Sequence, residues 1–215
     1  MSQNRSSAVM QQRSEPHDSL DDFRTPTWAG RALLEQLESL GLVRGGMSAR
    51  EPAANVGHLL RALLERFTLT EASDIHDYGK GFDVADFLFG THEDVDWTIT
   101  NPPFRLAERF ISQAQTSSRV GVAMLVRSAF TEGQGRYERL YRDNPPAFEM
   151  QFAERVIMHK GVLRDPAHKY WDASMNDGEG GWRAPSTATS YCWLVWLTDH
   201  DEPTRKIWIP PCRKR

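Results

Sequence analysis

Val95-Asp96-Trp97-Thr98-Ile99-Thr100-Asn101-Pro102-Pro103-Phe104 is a short apolar run that ends on two consecutive prolines. Each proline lacks an N–H and has φ fixed at about −65°, so a central strand beginning near Val95 must stop at about Asn101. Asn101 precedes a proline and is pushed towards an extended conformation, which holds its amide at the carboxyl end of the strand. In open α/β sheets that edge binds ligands. The tripeptide recurs in Asp143-Asn144-Pro145-Pro146, but Arg139-Leu140-Tyr141-Arg142 before it is too charged for a buried strand, and that copy reads as a loop.

Downstream, Leu106 to Ala114 reads as a helix with Leu106, Phe110 and Ile111 facing the sheet. Val120 to Val126 is a continuous apolar run, as expected of a parallel strand buried on both faces. Arg127-Ser128-Ala129-Phe130 then falls on the same edge as Asn101. Thr131 to Arg142 is charged and helical, and Phe152 to Ile157 reads as a further strand. Tyr191 to Leu197 is an aromatic, β-branched strand, and Thr204 to Pro210 another. Upstream, Leu33, Leu34, Leu37 and Leu40 recur at helical spacing within Ala29 to Leu40, with Thr25 or Thr27 available as a cap. Ala49 to Leu59 contains the small-residue loop Pro52-Ala53-Ala54-Asn55 and opens a helix through about Phe67. Asp74 lies some twenty positions beyond that loop, the spacing at which a second strand ends in a carboxylate.

Composition limits the choices further. The chain has 215 residues, 40% of them hydrophobic, and a net charge of −3. It is long enough for one well-buried domain and is not basic overall, so any nucleic-acid contact must come from local clusters. Only Cys192 and Cys212 occur, which gives neither a disulfide framework nor a metal-ligand cluster, and no metal is expected. His76 and His92 have no partner at ligand spacing and read as solvated loop residues. No apolar run approaches membrane-spanning length, so a cytoplasmic protein without membrane contact is expected. Residues 1–20 are polar and expected to be flexible, with a single domain over 21–215.

Asn101-Pro102-Pro103-Phe104 after an apolar strand resembles the (Asp/Asn/Ser)-Pro-Pro-(Tyr/Phe) signature of class I S-adenosylmethionine-dependent amino-methyltransferases, most of all the phage-type N6-adenine DNA enzymes. The resemblance implies a Rossmann-like α/β fold: a mostly parallel sheet with helices on both faces and an antiparallel C-terminal strand pair. It implies S-adenosyl-L-methionine as cofactor and DNA as partner. Asn101 and the Pro102 carbonyl would accept the hydrogens of the adenine amine, with Pro103 in the same rigid motif and Phe104 stacked on the base. The Thr25-Pro26 segment resembles one that contacts the cofactor's methionine moiety.

Glu51-Pro52-Ala53-Ala54-Asn55 resembles the loop against which the cofactor lies, with Asn55 in place of the usual first glycine. Asparagine tolerates positive φ, so the turn can form. By resemblance Asp74 takes the ribose, Ile75 packs on the cofactor's adenine, and Asp86 accepts its amine beside Phe87. Ala184 to Ser190, before an aromatic strand, resembles the late segment of the phage-type enzymes. These motifs keep the family's order over about residues 23–198.

Two groups of basic residues read as substrate contacts. Arg136 and Arg139 broadly share one helix face with Arg142, as either a solvated face or a phosphate strip. Lys160, Arg164 and Lys169 lie among aromatics in the irregular segment around 158–190, which suits an extruded or single-stranded nucleotide. The same Asn-Pro-Pro chemistry serves RNA bases and protein glutamines, so RNA or protein remains open as a substrate. A silent cofactor- or nucleic-acid-binding module and a homodimer are the other readings.

Overall fold

The computed structural model describes residues 21–213; the expected flexibility of residues 1–20 lies outside them. Its core is an eight-stranded sheet built from β1 (Ser48–Glu51), β2 (Leu69–Asp74), β3 (Asp83–Val84), β4 (Val95–Thr100), β5 (Ser118–Arg127), β6 (Phe148–Phe152), β9 (Tyr191–Leu197) and β10 (Arg205–Ile209), in the order β10-β6-β9-β5-β4-β1-β2-β3. β9 runs antiparallel between β5 and β6, and every other pairing in the sheet is parallel. β10 lies at the edge, parallel to β6. β7 (Tyr170–Asp172) and β8 (Gly181–Arg183) form a separate antiparallel pair inside the segment expected to be irregular.

Period-two alternation decides which helix covers which face. Ala123 and Leu125 of β5, Trp193 and Val195 of β9, and Trp97 and Ile99 of β4 pack under α1 (Thr27–Ser39) and α2 (His58–Leu64), against Leu33, Leu37, Leu59 and Leu63. The intervening Val122, Met124, Cys192, Leu194 and Trp196 face Phe110, Ile111 and Ala114 of α3 (Ala107–Gln115) and Leu140. Leu140 follows the short α4 (Gln134–Arg136), in a π turn over Tyr137–Tyr141. Gly121 is small for a reason: a Cβ there would lie 2.6 Å from the Trp196 carbonyl oxygen and 2.8 Å from the Trp97 ring. The Trp193 indole donates to the Ala29 carbonyl at 3.1 Å, pinning the start of α1 to the sheet.

Several expectations are corrected. Neither threonine caps α1: its N-cap is Pro26, and Thr27 Oγ1 instead donates to the His58 carbonyl at 2.8 Å, joining α1 to α2. The helix after the small-residue loop is shorter than expected, ending at Leu64. Leu106 does not face the sheet; it precedes α3 and is exposed. The strand expected at Phe152 to Ile157 is β6, four residues earlier, where Phe148, Met150 and Phe152 supply the buried face. His92 is not solvated: its ring stacks on Phe87 with centroids 4.7 Å apart, and Nε2 bonds the Phe87 carbonyl.

Candidate active site

The chain turns in opposite directions from β1, to β2 on one side and β4 on the other, and a cleft opens outside the carboxyl ends of these strands. It holds about 780 Å³, counting the space at its mouth. Thr25, Glu51, Pro52, Ala53, Asn55, Asp74, Ile75, Asp86, Phe87 and Asn101 all line it, although they come from five separate stretches of chain. Every residue expected to touch the cofactor is therefore in one place.

Local structure explains the convergence. β1 ends at Glu51, and the loop after it is sewn to the end of β2: Ala54 N–H donates to the Ser73 carbonyl, and Asn55 N–H to Asp74 Oδ2 at 2.9 Å. Asn55 adopts φ of 51° and Gly57 φ of 84°, so the turn does form with asparagine in the left-handed region. Asp86 accepts from Leu88 N–H, and Phe87 is buried against Phe110. Ile75 is 63% exposed at the rim, an apolar surface without cover.

The electrostatics are lopsided. Asp21, Glu51, Asp74 and Asp86 line the cleft, and of the cations there Arg24 already pairs with Asp22 at 3.4 Å. Glu51 is 2% exposed, and burial, with Asp74 nearby, raises its carboxyl well above the usual range against the pull of the Leu60 N–H. Its Oε2 has no hydrogen-bond partner among the described residues. Burial likewise raises the Tyr78 phenol to about 12, with Asp22 and Asp74 adding to the effect, while His58 is lowered by burial and by Arg61, Arg24 and Lys80. An unpaired buried carboxyl in an acidic cleft is a seat for a cationic group.

Next to Glu51 in the sheet, β4 delivers Asn101. Asn101 Nδ2 donates to the Phe23 carbonyl at 2.9 Å, which turns Oδ1 the other way; Oδ1 is buried and unpartnered among the described residues, as is Thr100 Oγ1. Pro102 is buried, Pro103 lines the cleft, and Phe104 stands just beyond it. Phe104 N–H donates to Asp21 Oδ2 at 2.6 Å, and its ring packs 5.5 Å from Phe23. Asp22 Oδ1 accepts from Asn55 Nδ2 at 2.7 Å. The tripeptide Asp21 to Phe23 thus ties the proline loop to the cofactor-side loop.

The expected substrate residues do not join this cleft. Arg139 grips Glu108 of α3 at 2.9 and 3.0 Å, and Arg136 reaches the same carboxylate at 3.4 Å while lying 4.0 Å from the Phe130 centroid. Arg164 lies 3.6 Å over the Tyr170 ring, and Lys160 and Lys169 are exposed on the same segment. Phe23, Asp21 and Tyr78 were not singled out as site residues. Only Phe23 carried a signal, since it stands two residues before Thr25-Pro26.

The sheet order, its single reversed strand and the cleft at the β1/β4 divergence are those of the Rossmann-like class I methyltransferase fold. A Listeria monocytogenes protein described as a class I S-adenosylmethionine-dependent methyltransferase superposes with TM-score 0.56 at 14% identity, over 94% of this chain and 68% of its own. A protein from Pyrococcus horikoshii described as an RNA methyltransferase matches with TM-score 0.52 at 16% identity, over 88% of this chain and 96% of its own. The methyltransferase subunit of a type I restriction-modification system from Streptococcus thermophilus matches with TM-score 0.57 at 10% identity, over 85% of this chain but 46% of its own. No family model and no curated protein sequence matches the chain.

Proposed function

We propose that this chain binds S-adenosylmethionine in the cleft and transfers its methyl group to the exocyclic N6 amine of adenine in DNA. The observation that carries the reading is the pair of orphaned acceptors on adjacent strand ends, Glu51 Oε2 and Asn101 Oδ1. The first fits the ammonium of the cofactor and the second an amine of the substrate. Glu51 would hold the amino-acid end near Thr25, Asp74 the ribose, and Ile75, Asp86 and Phe87 the adenine. The cofactor supplies an electrophilic methyl group on a sulfonium.

An adenine amine is a poor nucleophile because its lone pair is delocalised into the ring. Asn101 Oδ1 and the Pro102 carbonyl accept its two hydrogens, which favours the positive charge developing on nitrogen and fixes the direction of the lone pair. The Phe23 carbonyl keeps the Asn101 amide from rotating, so the acceptor is in position before substrate arrives. Phe104 provides the stacking surface. Lys160, Arg164 and Lys169 stand on the segment that would meet the flanking nucleic acid, and a duplex adenine must be flipped to enter.

The likeness to a methyltransferase subunit of a restriction-modification system supports a DNA substrate. The second reading, an RNA base, is supported by the likeness to the Pyrococcus protein described as an RNA methyltransferase. The test is transfer of labelled methyl from S-adenosylmethionine to unmethylated duplex DNA, single-stranded DNA, ribosomal RNA and a protein extract in parallel, followed by nucleoside analysis. N6-methyladenine in DNA is expected. Label confined to RNA establishes the second reading, and absence of label in every arm refutes both.

A further inference from the structure

Phe104 does not stand bare. The Arg127 guanidinium carbon lies 4.4 Å from the ring centroid, and its charge also acts on the Tyr191 phenol, whose pKa burial raises and Arg127 pulls back down. The Phe23 and Tyr191 rings are farther off, at 5.5 and 6.3 Å, and both are tilted. A base stacking on Phe104 needs a flat approach at about 3.5–4 Å, which the planar guanidinium now fills. Arg127 is the last residue of β5 and its side chain is exposed, so it can turn away without moving the strand. A cation–π contact and a base–aromatic stack are of similar strength, so exchanging one for the other is nearly balanced.

Arg127 also lines a second cleft, about 1000 Å³ with its open mouth, which crosses the ends of β5 and β6 and the start of β9. Ser128, Gln151, Ser190 and Lys206 make this cleft polar, and the carboxylates of Glu132 and Glu149 line it with them. Ser128 Oγ donates to Gln151 Oε1 at 2.9 Å, and Lys206 pairs with Glu149 at 2.8 Å. Hydroxyls, an amide and a cation suit a sugar-phosphate better than a base. Lys206 is already committed to a carboxylate, whereas Arg127 rests on the Phe104 ring.

We propose that Arg127 is the positioning residue for the target nucleotide: it caps Phe104 without substrate, yields that face to the incoming base, and turns into the second cleft to bind the nucleotide's phosphodiester. The assignment rests on the reading of the Asn101 loop as an adenine site. It separates two functions on one edge, with the base on Phe104 and the backbone in the polar cleft. It also gives β5 a role that the methyl-transfer chemistry alone does not require.

The test uses Arg127→Met, which keeps the stem without charge or plane, and Arg127→Lys, which keeps the charge alone. Anisotropy of a labelled duplex oligodeoxynucleotide with an unpaired central adenine is followed from 50 to 200 mM salt, with S-adenosylhomocysteine at saturation. Arg127→Met is expected to bind about tenfold more weakly and to lower the salt slope by about one, while Arg127→Lys keeps the slope with partial affinity. In methyl transfer, Arg127→Met should raise KM at nearly constant kcat, with S-adenosylhomocysteine affinity and melting temperature unchanged. Wild-type affinity and slope in Arg127→Met, or a loss confined to kcat, overturns the assignment. Failure of the wild-type protein to bind the oligonucleotide removes the adenine site itself, and Arg127 with it.

Discussion

Replacing Glu51 by glutamine separates its cost in the free protein from its use in binding. The carboxyl is 2% exposed, has one oxygen without a partner, and is raised well above the usual range by burial and by Asp74. Glutamine keeps the shape and an oxygen for the Leu60 N–H but cannot become an anion. If Glu51 holds an ammonium group, the variant loses a charge-assisted hydrogen bond of about 1.5–3 kcal/mol, so affinity falls roughly ten- to hundredfold.

The pH dependence follows from the same shift. In the free protein Glu51 holds its proton above the ordinary carboxylate pKa of about 4.3, and pairing with a cation favours the charged form, so binding releases a proton. Wild-type affinity should therefore rise from about pH 5 towards 7, where the ligand's α-amino group is still protonated. The Glu51→Gln variant should lack that component. Folding stability moves the opposite way. A raised folded-state pKa gives a contribution that is complete below the unfolded value and is lost as pH rises through the folded one, so the melting-temperature difference should shift towards the variant with pH. Titration calorimetry with S-adenosylhomocysteine and thermal melts at matched pH values read both effects. Undiminished affinity in Glu51→Gln, or a difference independent of pH, would refute the assignment of Glu51 to a cation.

Further substitutions test other parts of the site and the core. Asn101→Ala removes the orphaned acceptor and should lower transfer by about 10²–10³-fold with cofactor affinity within about twofold; equal loss of both would mean that the residue only supports the loop. Asp74→Ala should weaken S-adenosylhomocysteine binding roughly tenfold or more and cost about 1–2 kcal/mol of stability, because the Asn55 N–H at 2.9 Å loses its acceptor; calorimetry and denaturant melts read the two effects separately. Gly121→Ala drives a methyl group against the Trp196 carbonyl and the Trp97 ring and should destabilise by about 1–3 kcal/mol in a denaturant melt, without changing the affinity of any protein that remains folded.

Much of this architecture was written locally. Strands buried on both faces need continuous apolar residues, so β4, β5 and β9 are legible wherever such runs meet a proline, a glycine or a charge. That several cleft-lining residues would gather was legible for a related reason: Glu51, Asp74, Asp86 and Asn101 lie at or just after strand ends, where chain order and spacing place them on the sheet edge, whereas Thr25 precedes a helix. Asn55 could be read as a left-handed turn residue because few side chains tolerate that conformation, and its φ of 51° is what the loop requires.

Other features depend on partners distant in sequence. β1 has four residues and contains Arg50, a charge inside a strand flanked by neighbours on both sides. It is 4% exposed because Glu71 at 2.8 Å, Ser117 at 3.0 Å and the Glu93 carbonyl satisfy its guanidinium. The arginines of α4 and its π turn looked free until α3 brought Glu108 beside them. The β7–β8 pair could not be read through its glycines, and its Trp171 and Trp182, with centroids 5.9 Å apart, met only when the chain folded back. Sequence determined which stretches are strands and which residues stand at their ends, because burial and backbone stiffness act locally. Tertiary structure decided which acceptors remain unpaired, because a polar atom's partners come from anywhere in the chain, and the orphaned oxygens of Glu51 and Asn101 were decided in this way.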